Sequence, residues 1–139
     1  MKQASKFTSF FVFPVAVLLA HIIASKVLNL YTIFPSLDIP FHFIGGLSIA
    51  YTSTQILTYL EEEKISVALH KAIFLVIIFS LTATATVFWE LAEFAGDQVL
   101  GANIQISLAN TMQDQFMGVL GGTTWVFLYS RKLEKITEI

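Results

Sequence analysis

The sequence predicts an all-α polytopic membrane protein: a four-transmembrane-helix bundle with both termini cytoplasmic. Three observations lead there. Of 139 residues, 55% are hydrophobic and only 13% charged, against roughly 25% charged in soluble domains. The apolar residues gather into four long runs. Lysine and arginine appear at alternate ends of those runs. A chain this short, carrying 13 phenylalanines, has too little interior to hide such a surface as a soluble monomer. Lipid is the solvent that the composition calls for. A net charge of −2 makes no case for nucleic-acid binding, and the absence of cysteine excludes thiol chemistry.

A spanning helix needs about 20 mostly apolar residues. The runs from about Phe7 to Leu28, Phe41 to Leu60, Leu69 to Phe94 and Met112 to Tyr129 provide them. They are too long for strands and show no steady alternation. No internal repeat divides the chain, so residues 1–139 read as a single membrane domain. Lys2 and Lys6 precede the first run as they would in a signal peptide. Its apolar stretch is longer than a signal core, however, and Leu19-Ala20-His21-Ile22-Ile23-Ala24 lacks a small-x-small cleavage pattern. It reads as an uncleaved helix with a kink expected at Pro14.

The second run follows an expected extended segment punctuated by Pro35 and Pro40. Between the third and fourth runs, about Gly96 to Thr111 reads as an apolar loop along the outer surface. Gly45, Gly46, Gly118 and Gly122 are expected to let helix backbones approach, with Gly118 and Gly122 touching a neighbouring backbone. Thr82, Thr84 and Thr86 read as hydrogen-bonding to carbonyls or across helices. His21 reads as a packing residue with a hydrogen bond in an apolar stretch, and His70 as an inner-interface residue with no special role.

Orientation follows from the basic residues. Lys2 and Lys6 precede the first run, Lys64 and Lys71 join the second to the third, and Arg131, Lys132 and Lys135 follow the fourth. The other two connections carry neither Lys nor Arg. Both termini and the Glu61-Glu62-Glu63-Lys64 loop are therefore expected in the cytoplasm, with the acidic run as a solvated tip.

The remaining five of ten acidic residues, Asp38, Glu90, Glu93, Asp97 and Asp114, fall at the opposite ends of the runs. Helical rise places them at one depth. Glu90 stands about 28 Å beyond Lys71 and Asp114 about 25 Å before Arg131, at 1.5 Å per residue. His42 and Lys26 belong to the same layer. Spacing assigns faces: Asp38 and His42 are i, i+4; Glu90, Glu93 and Asp97 are i, i+3, i+7; Asn110 and Asp114 are i, i+4. Ionisable groups inside spans are costly and turn to the bundle interior or to water. So much carboxylate against one lysine must bind a cation, share protons or stand in open water.

The candidate metal ligands are therefore Asp38, His42, Glu90, Glu93 and Asp114. Oxygen donors suit Mg²⁺, Ca²⁺ or Mn²⁺, and one imidazole admits Zn²⁺ or iron. His42, Glu90 and Glu93 are the candidate catalytic groups for general acid–base work. Lys26 and Asn110 are candidate substrate-binding residues, Lys26 for a phosphate.

Asp38-Ile-Pro-Phe-His42 resembles the Asp-x-x-x-His start of a helix in VanZ-like membrane proteins. Glu90-Leu-Ala-Glu93 resembles their Glu-x-x-Gln, and Asp114 with Gly118, Gly121 and Gly122 their Asp-x-x-x-Asn-x-x-Gly segment. The order His42-Phe-Ile-Gly45-Gly46, Trp89-Glu90-Leu-Ala-Glu93-Phe-Ala-Gly-Asp97 and Asn110-Thr111-Met-Gln-Asp114 is closer to the YjdF-like branch of bacterial inner-membrane proteins. Asn110 stands where that pattern has an acid, and Gly118 where the VanZ-like one has Asn. The resemblance covers roughly residues 38–122. It implies a small multi-pass protein of the bacterial inner (cytoplasmic) membrane and no settled activity.

Three function classes follow. The first is a metal-dependent or acid–base enzyme acting on a lipid or lipid-linked headgroup at the outer face. The second is a cation- or proton-binding transport protein, for which four spans are few unless the chain forms a homo-oligomer. The third is an accessory subunit of a membrane-protein partner. Cation binding lost on mutating Glu90 or Asp114, with folding retained, separates the first two from the third.

Overall fold

Residues 7–101 and 104–137 are described by the computed structural model, with side chains to residue 133. Lys2 and Lys6 lie outside the described residues, as do Glu138 and the side chains of Glu134 and Lys135. Every regular element among the described residues is helical.

The first long helix runs from Phe7 to Val27. Its regular α-helical part is α1 (Val12–Ile22). Below α1, the amides of Phe10 and Phe11 donate to Phe7 and Thr8 in i, i+3 bonds. Pro14 has no N–H to offer the Phe10 carbonyl, and that carbonyl instead accepts the Thr52 hydroxyl at 2.9 Å. The proline thus frees a carbonyl for a bond to the neighbouring helix. The upper end of α1 passes into a π-helical turn, Ile23–Val27.

Asn29, with φ 50°, redirects the chain. The expected extended segment proves helical: α2 (Leu30–Ile33) and a 3-10 turn, Pro35–Leu37, lead into α3 (Asp38–Glu62). Pro35 opens its turn and Pro40 falls in the first turn of α3, where a missing N–H leaves no helix bond unmade. α4 (Lys71–Leu100) and α5 (Leu108–Thr137) follow. Each outruns its apolar run, so the outer connection shrinks from the expected stretch of about sixteen residues to 101–107. Gly96 lies inside α4, and Gly101, at φ 63°, ends it in the left-handed conformation that suits glycine.

Side-chain pairs set the relative heights of the helices. Thr52 reaches Phe10, and the Trp125 indole donates to the Thr54 hydroxyl at 2.9 Å. The rings of Phe74 and Tyr129 stack with centroids 6.0 Å apart. Successive long helices therefore alternate in direction. The start of the first helix, the 63–70 connection and the end of α5 share one end, where Lys64, Lys71, Arg131 and Lys132 sit. Glu61 accepts the Leu69 amide at 2.8 Å, so the acidic run is partly a loop anchor, and His70 caps α4 by accepting from Ala72.

α3 and α5 form the most extensive helix pair, α4 packs on both, and α1 leans on α3. Ala50, Phe74 and Ile78 make the apolar core. The closest approaches are made by glycines: a methyl on Gly46 would overlap the Gly118 carbonyl, and one on Gly121 the Phe43 carbonyl. Gly118 and Gly122 also face the Thr86 and Thr82 side chains. Much apolar side-chain surface points outward, including Val12, Leu19, Val76, Phe88 and Phe116. Among the described residues two helices, Phe7–Val27 and Lys71–Leu100, are long and apolar enough to cross a membrane. α3 and α5 have the length but spend positions on buried Ser48, Thr52, Ser53 and Thr54 and on packed glycines.

Candidate functional site

At the end opposite the basic residues, the first turn of α3 presents Asp38 and His42 on one face, because the helix begins at Asp38. α4 brings Glu90 and α5 brings Asp114. Glu90 is 3% exposed and Asp114 2%. His42 stands between carboxylates: its Nε2 is 3.4 Å from Asp38 Oδ1 and its Nδ1 is 3.7 Å from Glu90 Oε1. Asp38, His42 and Asp114 each offer a donor atom, and these atoms lie within 4.8 Å of one another.

Supporting residues hold the other sides of these groups. Asn110 donates to Asp114 Oδ2 at 2.7 Å. Gln105 donates to the Glu90 carbonyl at 3.0 Å and faces Glu90 Oε2 at 3.4 Å. Asp97 accepts the amides of Ile104 and Gln105 at 2.6 and 2.8 Å, so it pins the connection that carries Gln105. Glu93 accepts from the Trp89 indole at 2.8 Å.

What remains is a set of buried atoms with no hydrogen-bond partner: Asp38 Oδ1, His42 Nε2, Glu90 Oε1 and Asp114 Oδ1. Buried polar atoms are nearly always paired, and an orphan costs about 1–3 kcal/mol. Here the orphans sit close together on two helices besides α3. Two or three carboxylate oxygens and an imidazole nitrogen are a donor set that hard divalent cations and Zn²⁺ accept. Metal–oxygen bonds of about 2.0–2.6 Å let one ion bridge donors up to about 5 Å apart.

Among the residues singled out from the sequence, Asp38, His42 and Asp114 converge directly and Glu90 joins through His42. Glu93 is tied to Trp89 on its own helix, and Asn110 to Asp114. Lys26 is exposed on the π-helical turn. His21 packs and hydrogen-bonds as expected, and it also stands beside the site. Its Nδ1 lies 2.9 Å from the Tyr31 hydroxyl and 3.8 Å from Asp38 Oδ1, and its ring meets Phe41 and Trp89 edge-on. Burial, with the Asp38 carboxylate beside it, holds the Tyr31 hydroxyl above the usual phenol range, so it stays a donor. Tyr31 and Gln105 carried no spacing signal, since each arrives from a connection.

The sequence profile of a family described as predicted membrane protein (DUF2238) matches residues 2–135. The chain belongs to that family. Its outward apolar side chains and its apolar helices accord with the family's description as membrane proteins. No curated protein and no solved structure matches this DUF2238 member. The donor group and its supports all lie inside the stretch matched to DUF2238.

Proposed function

We propose that this chain is a four-span protein of the bacterial inner membrane, with both ends cytoplasmic, that binds a cation in a buried site at the outer face. The site serves a metal-dependent or acid–base reaction on a lipid or lipid-linked headgroup. The observation that carries this is the orphan set: Asp38 Oδ1, His42 Nε2, Glu90 Oε1 and Asp114 Oδ1, buried together from three helices. Asp38, His42 and Asp114 are the ligands. Glu90, reached through His42, and Glu93 are the acid–base groups, and Asn110 orients Asp114. Lys26, on the outer rim of the first helix, meets a headgroup phosphate. The placement of the motifs supports kinship with the YjdF-like branch and, more distantly, with VanZ-like proteins.

Transport has less support. Ser48, Thr54 and Thr82 donate to carbonyls of their own helices, and Thr52 to Phe10. Those hydroxyl protons are engaged, so the band below the site is a poor proton path.

The test is the thermal stability of the purified chain with Mg²⁺, Mn²⁺, Ca²⁺ or Zn²⁺. A ligand bound by the folded state raises Tm with concentration by mass action. The expected rise shrinks in Glu90→Gln, Glu93→Gln and Asp114→Asn. No rise with any of the four ions overturns the cation reading.

A further inference from the structure

A cleft of about 130 Å³ runs down the bundle between α1, α3 and α4, with His21, His42 and Trp89 at its upper end. Below them its walls are Val17 and Leu18 of α1, Ile49 of α3 and Ala85 of α4, with Gly45 as part of its floor. The hydroxyls along it are spent within their own helices: Ser48 donates to the Gly45 carbonyl at 2.7 Å and Thr86 to that of Ala83 at 2.8 Å. The cleft is therefore apolar along its length and polar at one end. That end is the imidazole of His42, whose buried Nε2 makes no hydrogen bond and lies 3.4 Å from Asp38 Oδ1.

Gly45 distinguishes this cleft from loose packing. Gly46, Gly118, Gly121 and Gly122 all have a neighbour where a side chain would begin, but a methyl on Gly45 would meet nothing within 4 Å. A glycine in mid-helix costs up to about 1 kcal/mol against alanine. At Gly45 no close backbone approach and no positive φ offsets that cost. The space above Gly45 is what its missing side chain leaves open.

We propose that this cleft holds one alkyl chain of a membrane lipid, placing the polar end of that lipid at His42. The class of occupant follows from the shape and polarity of the cleft. Its volume is close to the roughly 150 Å³ apolar cavity that accommodates benzene, so it suits a stretch of a single chain better than paired chains or a fused ring system. The surface around it is apolar, with Val15 and Leu19 exposed on α1, so a chain reaches it sideways from lipid. The inference rests on the proposed headgroup site above and supplies its substrate class: a chain-bearing amphiphile presented laterally.

The experiment uses the full chain in vesicles of phosphatidylethanolamine and phosphatidylglycerol, containing a phospholipid with a photoactivatable diazirine on one acyl chain. Labelled peptides are mapped by mass spectrometry in the unaltered chain, in Gly45→Ala and in Gly45→Leu. Labelling is expected to concentrate on Val17, Leu18 and Ile49. It should fall about tenfold in Gly45→Leu, the factor that a modest loss of binding free energy produces, with Gly45→Ala between. Melting temperature should stay unchanged or rise, and the Tm response to divalent cations should persist. Labelling spread evenly over the exposed apolar faces overturns the proposal, as does labelling at those three positions that Gly45→Leu leaves intact. In either case a persisting cation response means that the chain site alone has failed. If the cation response is absent while Gly45→Leu abolishes labelling, the chain site stands and the headgroup site has failed.

Discussion

Gly46 of α3 lies against the carbonyl of Gly118 of α5, so closely that neither backbone leaves room for a side-chain carbon on Gly46. Each glycine is one helical turn below a residue of the candidate site: Gly46 follows His42 by four positions, and Gly118 follows Asp114 by four. The contact therefore sets the distance across which His42 and Asp114 face each other. A packing device of small residues positions the chemistry one turn above it.

Two adjacent glycines should behave in opposite ways. Gly46→Ala drives a methyl into backbone, which cannot swing aside, and should cost about 1–3 kcal/mol. Gly45→Ala projects into open space and should be neutral or stabilising by up to about 1 kcal/mol. Denaturation of the two variants in matched detergent measures the difference. Equal effects would contradict the packing described.

Removing charge from the orphan set should not weaken the fold. Asp114 Oδ1 is buried without a partner, so Asp114→Asn eases a repulsive neighbourhood of Asp38 and Glu90 while keeping its size. In metal-free buffer the variant should melt at or above the unaltered chain, and added divalent cation should raise its Tm less than that of the unaltered chain. A sharp loss of stability without metal would show that the carboxylate serves the fold.

The Trp125–Thr54 bond ties α5 to α3 in the opposite half of the bundle. Thr54→Val keeps the shape and removes the acceptor, which should cost about 1 kcal/mol. Trp125→Phe removes the donor and part of the packing with it. A double-mutant cycle should return a coupling near that bond's value, and additive effects would refute the link.

Asp97 should matter to the outer connection before it matters to any chemistry. Its carboxylate accepts two backbone amides, at Ile104 and Gln105, and bonds to a charged group contribute about 1.5–3 kcal/mol each. Asp97→Ala should speed hydrogen exchange at both amides and release Gln105 from Glu90, with little change in the α3–α5 core. Unchanged protection at those amides would refute this role.

The proposed topology places residue 139 in the cytoplasm. A reporter fused after Ile139 that is active only in the cytoplasm should give signal, and one active only outside should not. The reverse result would invert the placement of the acidic site. It would leave the helix packing untouched, since packing does not depend on orientation.

Much of the fold was legible in the chain because it rests on local periodicity. Helices of the needed length follow from the apolar runs, and a rise of 1.5 Å per residue put Glu90, Asp114 and His42 at one height before any helix was packed. The i, i+4 spacing of Asp38 and His42, and of Asn110 and Asp114, is a property of a helix face and survives into the structure. Lys26, placed in the same layer by height, stands exposed on a π-helical turn that no spacing rule announced.

Tertiary structure decided which residues at that height touch. His21 became a neighbour of Asp38 because the π-helical turn, Asn29 and α2 fold the connection back over the first helix. Gln105 reached Glu90 because Asp97 pins a connection whose conformation depends on both helix ends. Gly45 and Gly46 are chemically identical neighbours in sequence. One faces the α5 backbone and the other an apolar cleft, because consecutive residues on a helix point about 100° apart. Periodicity acts within a helix and can be read along the chain. The rotation and separation of one helix against another come from the fit of side chains across the interface, so they appear only once the bundle has formed.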